Sequence, residues 1–154
     1  MARHHAREEA LKILFEHDLA QTDAEFLLAG WQEEDEEDRK FAQSLVQGVV
    51  RQQPAIDAVI AQSAVDWKIE RMPTIDRNVL RMAVYELQND AQTPISVIIS
   101  EALELAGAYS TDEAKRFVNG VLSSVAKDVR PGGDTDRQPA SGTVLASPEN
   151  GAEA

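Results

Sequence analysis

Arg116-Phe117-Val118-Asn119-Gly120-Val121-Leu122, near the C-terminal end of a chain of 154 residues, places a cation, an aromatic and a glycine along one flank of an apolar helix. At about 100° per residue, Val118, Val121, Leu122 and Val125 fall on one stripe, with Phe117 at its edge beside Glu113, Arg116 and Gly120. Phe117 has two readings. It closes the margin of a core, as edge aromatics usually do. Alternatively it joins Arg116 and the side-chain-free surface at Gly120 as a platform that stacks a base or seats a partner.

Helical periodicity of the same kind dominates the rest of the chain, and no alternating strand pattern competes with it. A first helix is expected over 3–21, with Ala10, Leu11, Leu14 and Phe15 as its apolar contacts, followed by a short segment at about 26–31 broken by Gly30. Phe41, Leu45, Val46 and Val49 trace a helix that ends before Pro54, because proline disfavours helical geometry in the residue before it. Ile56, Val59 and Ile60 mark another. Trp67, Ile69 and Met72 lie in a connector closed by Pro73, after which the Thr74 hydroxyl caps a helix running through Leu87. Thr93 and Pro94 open the next helix, and Ser110 with Glu113 at capping-box spacing begins the last, from about Thr111 to Val129. The expectation is an all-α compact bundle of about seven helices in two packed halves, with the boundary near 66–73. The helical domain spans 1–130. Beyond it, 131–154 is rich in Gly, Pro, Ser and acids with only Val144 and Leu145 as sizeable apolar residues, and reads as a disordered acidic tail.

Cysteine is absent, which excludes disulfides, thiolate metal sites and cysteine catalysis. No apolar run approaches membrane-spanning length, so a soluble, cytoplasmic protein with no membrane partner is expected. There is no glycine-rich phosphate loop and no nucleophile elbow, so neither an enzyme nor a cofactor is expected. His4 and His5 point about 100° apart on a helix and cannot easily chelate one ion, and the acids near them and His17 in sequence do not complete a ligand set, so no metal is expected. The formal charge of −12 argues against nucleic acid at first sight, but the unbroken acids of 33–38 contribute −6 of it and the tail −3. Arg3, Arg7 and Lys12 with His4 and His5 concentrate positive potential at the opposite end of the chain.

Arg3 and Arg7, four residues apart, put two guanidinium forks on one side of a helix, suited to phosphate, and Phe15 two turns on adds an aromatic surface; the alternative is a solvated helix start. The acids of 33–38 read as a solvated loop leading into a helix, or as a patch that repels off-target nucleic acid or meets a basic partner. Asp76, Arg77 and Arg81 are expected on the outer side of the middle helix, as a structural ion pair or as the polar rim of a protein interface.

Four pieces in order resemble the NusB family of transcription antitermination factors: the opening Ala2-Arg3-His4-His5-Ala6-Arg7-Glu8, the block Asp76-Arg77-Asn78-Val79-Leu80-Arg81-Met82-Ala83-Val84-Tyr85-Glu86-Leu87, Pro94 followed by Glu101-Ala102-Leu103-Glu104-Leu105-Ala106, and the closing Arg116-Phe117-Val118-Asn119-Gly120-Val121-Leu122. The resemblance covers about 2–130. It implies an all-helical protein that binds boxA, a short single-stranded element of ribosomal RNA leaders, together with NusE, a protein also found in the small ribosomal subunit. That complex helps RNA polymerase read through terminators, and family members are monomers or homodimers. Residue by residue, the resemblance assigns Arg3, His4, His5 and Arg7 to an RNA-contacting head, Phe15 to an aromatic beside it, and Arg116 with Phe117 to a second part of the RNA surface. It sets Glu113 near that surface, where an acid tempers affinity. Asp76 goes to the NusE-facing side, while Arg77 and Arg81 stay as the rim residues of a protein interface read above. The head holds fewer arginines than is frequent in the family, Ser100 stands where asparagine is frequent, and the acidic tail is extra. The same domain occurs fused to an RNA cytosine methyltransferase, for which no room follows 130. The remaining rival is a protein-only adapter or homodimeric module without RNA binding.

Overall fold

A computed structural model describes residues 3–134, and within them the chain forms seven α-helices and one 3-10 turn. These are α1 (Arg3–Ala20), α2 (Ala24–Gly30), α3 (Glu36–Arg51), α4 (Gln53–Ser63), α5 (Thr74–Asn89), α6 (Ile95–Tyr109) and α7 (Asp112–Val129), with the 3-10 turn at Ile69–Arg71. The all-α expectation holds. No helix among the described residues is long and apolar enough to cross a membrane.

Local chemistry accounts for most of the boundaries. The Asp23 carboxylate accepts the Phe26 N–H at the start of α2, and Asp35 accepts the Asp38 N–H at 2.9 Å at the start of α3. The acidic run is therefore not one loop: Asp35 caps α3, and Glu36, Glu37 and Asp38 fill its first turn, where negative charge meets the positive end of the helix dipole. Pro54 lies in the first turn of α4, where a missing N–H costs nothing, so α4 follows α3 after the single residue Gln52. Two expected caps differ. Pro73 occupies the cap position of α5, which leaves Thr74 inside the helix with no capping bond from its hydroxyl. At α7 the cap is Thr111, whose hydroxyl accepts the Ala114 N–H at 3.0 Å, because Ser110 is already the C-terminal cap of α6.

Packing centres on α5, which touches α1, α3, α4, α6 and α7. Val79, Leu80, Met82, Ala83, Val84 and Leu87 are all buried on it. The connector between α4 and α5 does not interrupt the core: a single cluster runs from Leu11 and Leu14 of α1 to Val118, Leu122 and Val125 of α7. Gly48 lets α3 approach this helix closely, since a Cβ there would overlap the Tyr85 ring. The described chain also continues past the expected boundary at 130. Arg130 donates to the carbonyls of Leu87, Thr93 and Asp90, and the Asp134 carboxylate accepts the Ile95 N–H at 3.1 Å, capping α6. Residues 130–134 thus tie the end of α5 to the start of α6. The expected disordered tail otherwise lies outside the described residues.

Candidate nucleic-acid interface

The N-terminal head is built on the first two turns of α1 where they cross α3, α5 and α6. Arg3 is exposed, its guanidinium stacked 4.4 Å from the centre of the Phe41 ring and 3.4 Å from an Asp90 oxygen. Arg7 shares that face, as its spacing requires, but the face turns inward. Its residue exposure is 4%, and Nε and Nη2 donate to the two Glu86 oxygens at 2.9 and 2.7 Å. Burial works against its charge, yet the bonds to Glu86 outweigh it and hold the guanidinium more firmly protonated than a free one. Arg7 is therefore not the second exposed fork expected from the sequence. Its phosphate-binding geometry is spent on a carboxylate 79 residues away.

The two histidines are also partnered. His4 Nδ1 lies 2.7 Å from Glu101 Oε1 and 3.3 Å from Glu104 Oε1, and the hydrogen bond to Glu101 raises its pKa against the opposing effect of burial. His5 Nε2 lies 2.9 Å from Glu33. Spacing along the chain hid both sets of acids, because they arrive from α6 and from the segment before α3. Lys12 pairs with Glu9 at 3.3 Å. The head thus carries its cations beside carboxylates, with Arg3 the most open of its arginines. Phe15 is half-buried on α1 and, twelve residues from Arg3, stands about 18 Å further along the helix axis, so it does not adjoin Arg3.

A second cleft, of about 570 Å³, opens between the connector and the N-terminal turns of α7. Phe117 is half-buried there and meets the Trp67 ring edge-on, centroids 6.0 Å apart at 66°. Trp67 is 54% exposed. Arg71 and Arg116 line the same cleft and form no ion pair among the described residues, while Glu113 stands at its rim. Asp76 forms part of the wall. It is only 6% exposed, and its Oδ1 has no hydrogen-bond partner among the described residues. Asp76 is thus not on an outer face of α5 with Arg77 and Arg81.

Those two arginines are structural. Arg77 donates through Nε and Nη2 to Asp18 at 2.7 and 2.8 Å, and Arg81 donates to Asp57 at 2.8 and 3.0 Å and to Asp18 at 3.0 Å. Asn78 adds a bond to Asp18 at 2.9 Å. The network ties α1 and α4 to α5, so the polar-rim reading is corrected for Arg77 and Arg81: they face neighbouring helices. Burial alone would push the Asp18 carboxyl up, but the hydrogen bonds from Arg77 and Asn78 and both arginine charges hold it below its ordinary 3.8. A depressed carboxylate stabilises the fold above its unfolded value and ceases to do so as pH falls through the folded one. The melting temperature is therefore expected to fall as pH drops below about 4. Asp18→Asn should weaken the fold at neutral pH and remove part of this acid sensitivity; parallel pH–melting curves for the two proteins would refute the assignment.

Sequence reasoning missed Trp67, Arg71, Phe41 and the acids Glu86, Glu101 and Glu104. For Trp67 the available signal was a tryptophan between Asp66 and Lys68 in a connector, where core packing has little claim on it. The head and the Trp67–Phe117 cleft share no lining residue.

The described residues form an all-α bundle that sets two aromatics beside two exposed arginines in one surface cleft. Residues 4–127 match the model of the NusB family. The chain is 40% identical over 147 residues to the transcription antitermination protein NusB of Symbiobacterium thermophilum, across 88% of this chain and 96% of that one. It is 40% identical over 130 residues to the protein of the same description from Bacillus pumilus, across 84% and 98%. Among solved structures, T. maritima NusB superposes with a TM-score of 0.80 at 34% identity, covering 84% of this chain and 94% of that one. A chain from a crystal structure of antitermination factors NusB and NusE in complex with dsRNA gives 0.73 at 27%, covering 83% and 99%. The chain belongs to the NusB family, a family of transcription antitermination proteins and not of enzymes.

Proposed function

We propose that this protein binds the single-stranded boxA element of ribosomal RNA leader transcripts jointly with NusE, and within that complex promotes read-through by RNA polymerase in the cytoplasm. The observation that carries this reading is the Trp67–Phe117 cleft, where two aromatic rings adjoin two arginines that form no ion pair among the described residues. Stacking on aromatics with flanking cations is how single strands are held. Arg3 extends the surface as a phosphate contact, with His4 and His5 beside it, while Arg7 positions Phe41 and α1 from within. Glu113 at the rim subtracts from affinity by repelling phosphate. Asp76, which the resemblance sets toward NusE, is 6% exposed in the wall of that cleft, and its Oδ1 has no hydrogen-bond partner among the described residues.

The pairing of the head cations with carboxylates favours the rival reading of a protein-only adapter, and one titration separates the two. Labelled boxA RNA is titrated with the full-length protein, with and without NusE, at several salt concentrations. The proposed function predicts binding that NusE tightens, with a logarithmic salt slope of roughly −0.7 per phosphate contacted. Retained NusE binding with no RNA bound in either arm would establish the adapter instead.

A further inference from the structure

We propose a divalent transition-metal site where the first turn of α1 meets α6, its ligands being His4 Nδ1 and the carboxylates of Glu101 and Glu104. One ligand atom from each of these residues lies within 4.8 Å of the others. Nδ1 is 2.7 Å from Glu101 Oε1 and 3.3 Å from Glu104 Oε1. Bonds of about 2.1 Å to a tetrahedral ion set its donors about 3.4 Å apart, so Glu104 is already in place and Glu101 has only to withdraw by less than 1 Å. The ligands stand on two regular helices, with Glu101 and Glu104 one turn apart on the same face of α6.

Charge separates this cluster from an ordinary histidine–carboxylate pair. Three carboxylates surround the one imidazole, since Glu8 lies 3.8 Å from Nε2 on the far side of the ring. Arg7 reaches Glu101 at 3.6 Å, but its other nitrogens serve Glu86, and Tyr109 offers Glu8 only a neutral hydroxyl. Even an imidazolium leaves the cluster negative, and a dication replacing its proton compensates the acids better. One imidazole with carboxylates suits zinc or nickel, whereas magnesium and calcium prefer oxygen ligands throughout. Three protein ligands leave a position for water. A bound ion would clamp the first turn of α1 to α6 and fix the orientation of Arg3 and His5 beside it. The second cluster, His5 with Glu33 and Asp38, is less suited: His5 is more exposed and Glu33 already accepts the Asp35 N–H at 3.1 Å.

The test is calorimetric titration of zinc chloride into chelator-treated, full-length protein at neutral pH, alongside thermal melts. One equivalent should bind and raise the melting temperature, and magnesium at the same concentration should do neither. His4→Gln and Glu104→Gln should each weaken zinc binding by about tenfold or more, while His5→Gln should not. Glu104 is exposed, so its variant keeps the fold even if the His4 change disturbs the helix start. Zinc affinity unchanged in both ligand variants would mean adventitious binding elsewhere, and no binding to the unsubstituted protein would leave His4 as an ion-pair partner only; either overturns the site.

Discussion

Arg7→Ala is expected to lower the free energy of unfolding by about 3–5 kcal/mol, the cost of leaving one member of a buried ion pair without its partner. Glu86 is 3% exposed, and both its oxygens are occupied by the Arg7 guanidinium. Removal of Arg7 strands that carboxylate beside Met82, Ala83, Ile98 and Leu105 and takes away the cation lying 5.2 Å from the Phe41 ring centre. Arg3→Ala should behave in the opposite way. Its side chain is 53% exposed with a 3.4 Å contact to Asp90, and exposed pairs contribute only about 0–1 kcal/mol. Its loss should spare the melting curve and remove roughly 0.7 from the logarithmic salt slope of RNA binding, the share of one phosphate contact. Denaturant titration of the two variants and RNA binding at several salt concentrations decide the matter. A stable Arg7→Ala protein with a flattened salt slope would show that Arg7 leaves Glu86 for phosphate.

Phe117→Ala is expected to cost about 1–3 kcal/mol of RNA binding, the range for an aromatic that stacks a base. Its neighbour Val118 faces fully into the core, whereas Phe117 keeps part of its ring in the cleft against Trp67. The loss of folding stability should accordingly stay below the about 3–5 kcal/mol of a fully buried phenylalanine. Trp67→Ala supplies the cleaner arm: with more than half of its surface exposed, it should alter RNA binding far more than stability. If both variants bind RNA normally and Phe117→Ala melts early, the pair is packing and the cleft is not an RNA surface. Gly120, where a Cβ would meet no neighbouring side chain or element within 4 Å among the described residues, keeps the adjoining surface of α7 low.

The helices were largely legible in the sequence because their signals are local. Apolar spacing placed Val118, Leu122 and Val125 on one stripe, and all three are buried. The Thr93–Pro94 opening precedes α6 directly. The errors at caps were of one residue, at Thr74 and at Ser110 against Thr111, where two neighbouring residues competed for one role and only the path of the preceding segment decided between them.

The charged residues were legible in kind and not in place. A period of 3.6 residues states that Arg3 and Arg7 share a face; it does not state which partner that face meets. The answer lay in Glu86 for Arg7, in Asp18 for Arg77, and in Asp18 and Asp57 for Arg81, between 24 and 79 residues away. The same holds for Phe117, whose edge position was visible from α7 alone while its ring partner Trp67 came from a connector. The sequence by itself thus determined an all-α bundle, its stripes and the family to which it is similar, through interactions within a few turns of chain. Only the tertiary structure decided which cations are spent inside and which remain for a ligand, because an ion pair forms between whatever charges the packed helices bring within about 4 Å, however distant they are in sequence.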